Sequence, residues 1–329
     1  MKDVLVLGVC SVDVIGKSGS EFPKTNSQMP LFSLVNIAGG NALNTAIDCA
    51  KIGLSTAIVG CIGTDYQGRF LLEELSKYKV DIRGMQQKED SETGCCVIMQ
   101  DGDCDRLCFP FGGANAHIDP EKIPQELTNE ANIIIIQGLF NLPSVELKLA
   151  EFLKSLKEQG KTILVDISPN IKNVTFKEID STCRAIAPYV DYFMPSEIES
   201  LRITGSDDMD VATQSLHDKG FYNVIIKRAE EGSIASLSRG EMKAVVPTVY
   251  VQPRDVTGAG DAFVAGFAYG LKNNYSALDS ILCGNLLGRE CVLEFGASTN
   301  INEESLNRFH EIVKGPSIYQ YKENGFVRD

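Results

Sequence analysis

The chain has no tryptophan and only three histidines in 329 residues. His117, His217 and His310 stand far from one another and from any cysteine pair at ligand spacing, which argues against a zinc site. Ten cysteines are present, but none forms a Cys-x-x-Cys pair and most sit in apolar runs, so they read as reduced core side chains. Cys104 and Cys108 flank an expected hairpin turn rather than a metal. Basic charge is scarce too. Against 44 acidic residues stand 31 basic ones, and a net charge of −13 speaks against a nucleic-acid partner, whose phosphates need clustered Lys and Arg. No apolar run approaches the roughly 20 residues of a bilayer span, and Met1 to Gly8 reads as a buried first strand without a signal cleavage site. The expected location is the cytoplasm, with neither membrane nor nucleic acid as partner.

Two familiar nucleotide motifs are also missing. There is no Gly-x-x-x-x-Gly-Lys-Ser/Thr, and no Gly-x-Gly-x-x-Gly, because Phe263 fills the third glycine's place; a P-loop and a nicotinamide-dependent oxidoreductase are both disfavoured. What is present is Arg254-Asp255-Val256-Thr257-Gly258-Ala259-Gly260-Asp261-Ala262-Phe263. Gly258, Ala259 and Gly260 suit a tight turn into a helix on which an anion can sit. Asp261 follows at once, where free helix N–H groups and the helix dipole are expected to hold its carboxylate ionised. A base beside an anion cradle points to phosphoryl transfer, although the turn alone also fits an ordinary loop-to-helix junction.

Apolar β-branched runs recur at Val4–Val9, Ala57–Ile62, Ile133–Gln137, Thr162–Ile167, Tyr192–Met194 and Asn223–Lys227. Helical stretches are predicted between and after them, at Asn41–Lys51, Gln67–Tyr78, Ser144–Gln159, Val211–Lys219, Ala259–Leu271, Ala277–Leu293 and Glu303–Val313. The alternation predicts an α/β fold: a mainly parallel sheet with helices on both faces. Between Thr93 and Phe111 the pattern changes. Gly94–Gln100 and Arg106–Phe111 flank Asp101-Gly102, a dipeptide suited to a hairpin. Together with strands drawn from about 16–35, this hairpin is expected to form a small antiparallel β lid on one domain spanning 1–329.

The chain resembles the ribokinase-like carbohydrate kinases, the PfkB family, over nearly its whole length. Two signatures carry the likeness: Asp255 to Phe263, and Gly39-Gly40-Asn41-Ala42-Leu43-Asn44-Thr45-Ala46 with the helix reaching Gly53. The resemblance implies ATP and Mg²⁺ as cofactors, with Asp261 taking the proton of a substrate hydroxyl and the N–H groups of Gly258, Ala259 and Gly260 stabilising the transferring phosphoryl group. It places Asp13, Gly39, Gly40, Asn44 and Asn115 on the substrate side. On the nucleotide side it places Lys227, Gly232 and Asn285, with Ala229 standing where relatives carry glycine. Glu199 keeps the carboxylate of an Asn-x-x-Glu element tied to magnesium, while Ser196 replaces its asparagine. Asp255, with main-chain oxygens of Thr257, Cys291, Glu294 and Gly296, is the implied site for potassium.

The acceptor is less defined. Ribokinase-type relatives carry a glutamate after the strand that here reads Ile133–Gln137, whereas this chain continues Gly138-Leu139-Phe140. Val165-Asp166-Ile167-Ser168-Pro169-Asn170 is similar to the Asp-Pro-Asn of fructokinase-like members, with an insertion. A sugar kinase is the expected activity, with a nucleoside kinase, for which Phe109 and Phe111 of the lid could stack on a base, as the alternative. A non-catalytic sugar- or nucleotide-binding protein is disfavoured by the intact Asp261. The exposed edge and apolar face of the lid predict a homodimer through it.

Overall fold

The computed structural model describes residues 1–22, 28–101, 106–167, 174–315 and 320–321. Gly102, Cys104 and Ser168–Asn170, named above, lie outside them. Strands in chain order are β1 (Lys2–Gly8), β2 (Ser11–Lys17), β3 (Ser33–Gly39), β4 (Thr56–Gly63), β5 (Asp81–Lys88), β6 (Cys95–Gln100), β7 (Arg106–Phe111), β8 (Ala131–Leu139), β9 (Thr162–Ile167), β10 (Tyr192–Phe193), β11 (Val224–Lys227), β12 (Ser233–Leu237), β13 (Met242–Val246) and β14 (Gln320–Tyr321). The helices are α1 (Asn41–Lys51), α2 (Tyr66–Lys77), α3 (Gln125–Glu130), α4 (Pro143–Glu146), α5 (Leu149–Glu158), α6 (Phe176–Ile186), α7 (Glu197–Thr204), α8 (Met209–Asp218), α9 (Ala259–Lys272), α10 (Ala277–Cys291) and α11 (Asn307–Ile312).

A ten-stranded sheet runs β14-β13-β12-β11-β10-β9-β8-β1-β4-β5. Every pairing from β5 across to β11 is parallel, and the last three strands add antiparallel. Strand alternation divides β1 between two cores. Val4 and Val6 face residues of α1, α9 and α10, while Leu5 and Leu7 face residues of α5 and α6. Burial on both faces explains why these strands read as unbroken apolar runs. Among the described residues no helix is long and apolar enough to cross a membrane.

Four further strands form the lid sheet in the order β3-β2-β6-β7. Its outer pairings, β2 with β3 and β6 with β7, are antiparallel, and the central one, β2 with β6, is parallel. β2 and β3 only overlap the ends of the 16–35 stretch from which lid strands were expected and extend beyond it on both sides, because Val12, Val14 and Ile15 before it and Leu34, Val35 and Ile37 at its far end supply the β-forming residues.

Two predicted helices are corrected. The run Ser144–Gln159 breaks into α4 and α5, since the backbone leaves the helical region at Lys148, with φ −116° and ψ 1°, and Leu147 between them is 89% exposed. The run Glu303–Val313 opens instead as a 3-10 turn at Glu303–Leu306, capped reciprocally by Asn302 and Ser305, before α11 begins. Six of the described cysteines are buried, Cys95 and Cys96 are half-buried, and Cys108 is exposed. All are free thiols.

Candidate active site

α9 starts at the phosphate-type turn. Gly258 holds φ 83° there, in the left-handed region, and a Cβ on it would come within 2.5 Å of the Ala297 Cβ. Only glycine combines that backbone with that proximity. The first-turn N–H groups of α9 at Gly260 and Asp261 have no partner one turn back, as at any helix start, so they point out of the helix as anion donors. Close packing of α9 on α10 fixes its axis: a Cβ on Gly266 would lie 2.7 Å from the Cys283 carbonyl oxygen, and one on Gly270 2.5 Å from Ser280 Oγ.

Asp261 is only 5% exposed. Asn44 Nδ2 donates to its Oδ2 at 2.8 Å and Asn41 Nδ2 to its Oδ1 at 3.1 Å. The two asparagines stand three residues apart on α1, so one helix face presents both amides to the carboxylate. Burial pushes the Asp261 carboxyl up to about 6, against the downward pull of Asn44, Asn41 and Lys227. The helix start was expected to hold the carboxylate ionised; burial, the largest influence, works against that.

A cavity of about 430 Å³ opens in front of this carboxylate, lined by Gly258, Ala259 and Gly260, by Lys227 and Asp166, and by Ser196 and Glu199. Lys227 Nζ donates to both Asp166 oxygens, at 2.7 and 2.6 Å. Burial works to lower the lysine, but Asp166, Glu199 and Asp261 outweigh it and keep it cationic. The same burial pushes Asp166 up to about 7 despite Lys227. A Cβ on Gly260 would sit 3.5 Å from Lys227 Nζ, so ammonium and turn flank one space. Ser196 caps α7: its Oγ accepts the Glu199 N–H at 3.3 Å, and its own N–H donates to Glu199 Oε2 at 2.7 Å. The serine that replaces asparagine thus positions Glu199.

On the lid side, Asp13 lies on β2 opposite Ile37 of β3. A Cβ on Gly39 would fall 2.6 Å from Asp13 Oδ2, so glycine there makes room for the carboxylate. Burial, then Asp261 and Asp255, push the Asp13 carboxyl up to about 6, which brings it electrostatically into the same site. Gly40 caps α1 at φ 92°.

Several of the expected site residues have protein partners of their own. Both N–H donors of the Asn115 amide go to carbonyls, Cys10 O at 2.8 Å and Gly112 O at 3.0 Å, and its Oδ1 accepts the Cys10 N–H at 2.9 Å. It ties the lid's return strand to the β1–β2 junction. Asn285 likewise donates to Val246 O at 2.9 Å and Pro247 O at 3.2 Å and accepts from Ser233 Oγ at 2.7 Å, although it lines the cavity. Ala229 adopts φ 47°, so the loop up to Gly232 keeps the left-handed path without its glycine. Asp255 Oδ1 accepts the Thr257 N–H and Oγ–H at 3.1 and 2.7 Å, and Oδ2 accepts the Gly296 N–H at 3.2 Å. Cys291 Sγ donates to Thr257 O at 3.4 Å and Ala297 O at 2.8 Å. Glu294 pairs with Arg254 at 2.9 Å. These bonds fold the loop onto the turn.

Sequence reasoning did not single out Asn41 as a site residue, nor the Asp166–Lys227 pair. Asn41 stands inside the N-terminal signature at α-helical spacing from Asn44, which was the available signal. Nothing in the sequence joins Asp166 to Lys227, since adjacent ends of β9 and β11 bring them together only across β10.

A buried carboxylate facing helix N–H groups and a lysine, at the carboxyl ends of parallel strands, belongs to the phosphoryl-transferring α/β proteins. Over residues 1–304 the sequence matches the pfkB family of carbohydrate kinases, and the chain belongs to that family. It is therefore a phosphotransferase, moving a phosphoryl group from ATP to an alcohol group of a sugar or nucleoside. It is 26% identical to the nucleoside kinase of Methanothermobacter thermautotrophicus, over 94% of this chain and 96% of that one. Identity to the cytidine kinase of Thermococcus kodakarensis is 29%, over 90% and 98%. The ribokinase of Arabidopsis thaliana, solved with ribose and ATP, superposes with a TM-score of 0.81 at 24% identity, over 94% of this chain and 98% of that one.

Proposed function

We propose that Asp261 is the general base and that the acceptor is a hydroxyl of a free sugar, bound between Asp13 and α9. The observation that carries this is the Asp261 carboxylate itself, buried, gripped by Asn41 and Asn44 and open to the cavity that Lys227 and the Gly258–Gly260 turn share. Asp13 accepts hydrogen bonds from neighbouring hydroxyls, aided by Gly39. Asp261 takes the proton as the oxygen attacks the γ-phosphate, and the N–H groups of the Gly258–Gly260 turn, with Ala259 N–H first releasing its 3.4 Å bond to Val256 O, stabilise together with Lys227 the charge on the transferring group. Asn115 and Asn285 act as positioning residues for the lid root and for the nucleotide wall.

One oxygen of the Glu199 carboxylate accepts the Ser196 N–H and the group lines the cavity, which fits a water-mediated hold on Mg²⁺. When bound, Mg²⁺ neutralises charge on the nucleotide phosphates. Potassium belongs at Asp255, Thr257, Cys291, Glu294 and Gly296. The whole chain acts as one kinase domain with its lid, and two copies pair through that lid, whose Phe32, Leu34, Phe109 and Phe111 are exposed at 73, 64, 56 and 49%. Free thiols at all described cysteines suit the reducing cytoplasm.

A nucleoside acceptor is the second reading, favoured by two relatives that are nucleoside kinases. ADP release measured across hexoses, pentoses, keto-acid sugars and nucleosides tests the assignment. The reading expects turnover on a free sugar; turnover confined to nucleosides selects the second reading, and ATP hydrolysis unaffected by any acceptor contradicts both.

A further inference from the structure

A second cavity, of about 480 Å³, opens behind the central sheet, between the end of β5, the 3-10 turns that follow the lid, and the α4–α5 junction. Cys61 and Ile118 of its wall pack in the core with α5 and α6, whereas α9 packs in the other core, so the sheet separates it from Asp261. Lys88, Lys122, Lys148 and His117 line it, with Ser144 as a further polar group. The one acid in its lining is Asp119, whose carboxylate turns back to accept the Glu121 N–H at 3.1 Å. Lys148 is paired with Glu121 at 2.7 Å, but neither Lys88 nor Lys122 has an ion-pair partner among the described residues. Both act on one point: burial raises the Cys61 thiol, and the charges of Lys88 and Lys122 oppose it. A concentration of positive charge in a chain of net charge −13 runs against its overall sign.

The position matters as much as the charge. Lys88 ends β5, just before the chain enters the lid hairpin, and His117 ends the 3-10 turn just after the chain leaves it. That turn also carries Asn115, which grips both main-chain groups of Cys10 next to the strand bearing Asp13. A ligand drawing Lys88 toward His117 and Lys122 therefore pulls on both roots of the lid and, through Asn115, on the substrate side of the active site.

We propose that this cavity is a regulatory site for a small phosphate-bearing anion, held by Lys88, Lys122 and His117, which fixes the base of the lid. Its size suits a metabolite rather than a macromolecule, and separate point charges with N–H and hydroxyl donors suit a multiply charged phosphate. The proposal does not depend on which hydroxyl the active site phosphorylates.

The test uses the full chain with a non-hydrolysable ATP analogue filling the α9 cavity, titrated calorimetrically with inorganic phosphate, ribose 5-phosphate and AMP. At least one probe should bind one to one, and Lys88→Gln with Lys122→Gln should weaken it by ~10-fold or more. Lys88→Arg with Lys122→Arg should retain it. Affinity for the analogue should stay unchanged in both variants. Inorganic phosphate binding as tightly as the esters identifies free phosphate as the ligand, and a tighter ester identifies a phosphorylated metabolite. Amide exchange in β6 and β7 should slow with the bound probe in the parent and not in the Gln variant. Absence of binding up to about 10 mM, equal binding by the Gln variant, loss of binding when the analogue fills the α9 cavity, or unmoved exchange in the lid overturns the proposal.

Discussion

Asn44 donates its side-chain amide to Oδ2 of Asp261 at 2.8 Å, across 217 residues of sequence. This bond opposes the burial that lifts the carboxyl to about 6. A general base works only when deprotonated, so kcat/KM should climb as pH rises through about 6 and level off above it. Asp13 rises to about 6 as well, so the acidic limb belongs to the interacting pair. Asn44→Ala removes a charge-assisted hydrogen bond of about 1.5–3 kcal/mol. The limb should then move up by about one to two pH units, with a loss of about 2- to 15-fold at pH 7. A pH–rate profile identical to the parent's would show that Asn44 does not tune the base.

Ala229 occupies φ 47° beside the nucleotide wall. The left-handed conformation costs an L-residue about 1–2 kcal/mol, and glycine loses about 0.5–1 kcal/mol more entropy on folding. Ala229→Gly should therefore stabilise the protein by about 0.5–1 kcal/mol. A urea midpoint equal to or below the parent's would mean that the alanine is not strained.

The loop at Asp255 is closed by hydrogen bonds from Thr257 and Gly296, with a thiol bond from Cys291 beside it. Potassium in place of a bulky organic cation, at fixed ionic strength, should raise the rate by ordering that loop further, and Asp255→Ala should abolish the response. Equal indifference of both proteins to potassium would remove the cation from the account.

Replacing Gly94–Phe111 by a short glycine linker removes β6 and β7 and with them Phe109 and Phe111. Light scattering should show the mass fall from dimer to monomer, and the share of ATP lost to water should rise as the site stays open. Unchanged mass and unchanged coupling of ATP use to acceptor phosphorylation would show that this sheet is neither lid nor dimer contact.

Much of the frame was legible because burial on both sheet faces leaves unbroken β-branched runs: β9 and α1 fall where the pattern placed them. β12 and β13 were less so, being short strands of mixed polarity whose pairing is antiparallel. α6 and α7 were not singled out: both open on a capping box, Thr175 with Glu178 and Ser196 with Glu199, and α6 also buries Ile179, Cys183 and Ile186 at helical spacing, a signal the sequence did carry, whereas α7 has little periodicity. At the site, Asp261 and its turn stood out through glycine spacing, and Asp13 through the family likeness. The clamp of Asn41 and Asn44 needed α1 to meet α9, and the Asp166–Lys227 pair needed the sheet order. Asn285 lines the cavity and Asn115 stands at the root of the lid, and both amides bond mainly to main-chain groups, which side-chain chemistry alone does not reveal.

The central claim is that Asp261 takes the proton of the acceptor hydroxyl. Asp261→Asn keeps its shape and its place at the start of α9 but cannot accept that proton. Steady-state turnover should drop by ~100-fold or more while ATP affinity, measured by calorimetry, stays nearly unchanged. Turnover equal to the parent's would contradict the assignment of Asp261 as the base.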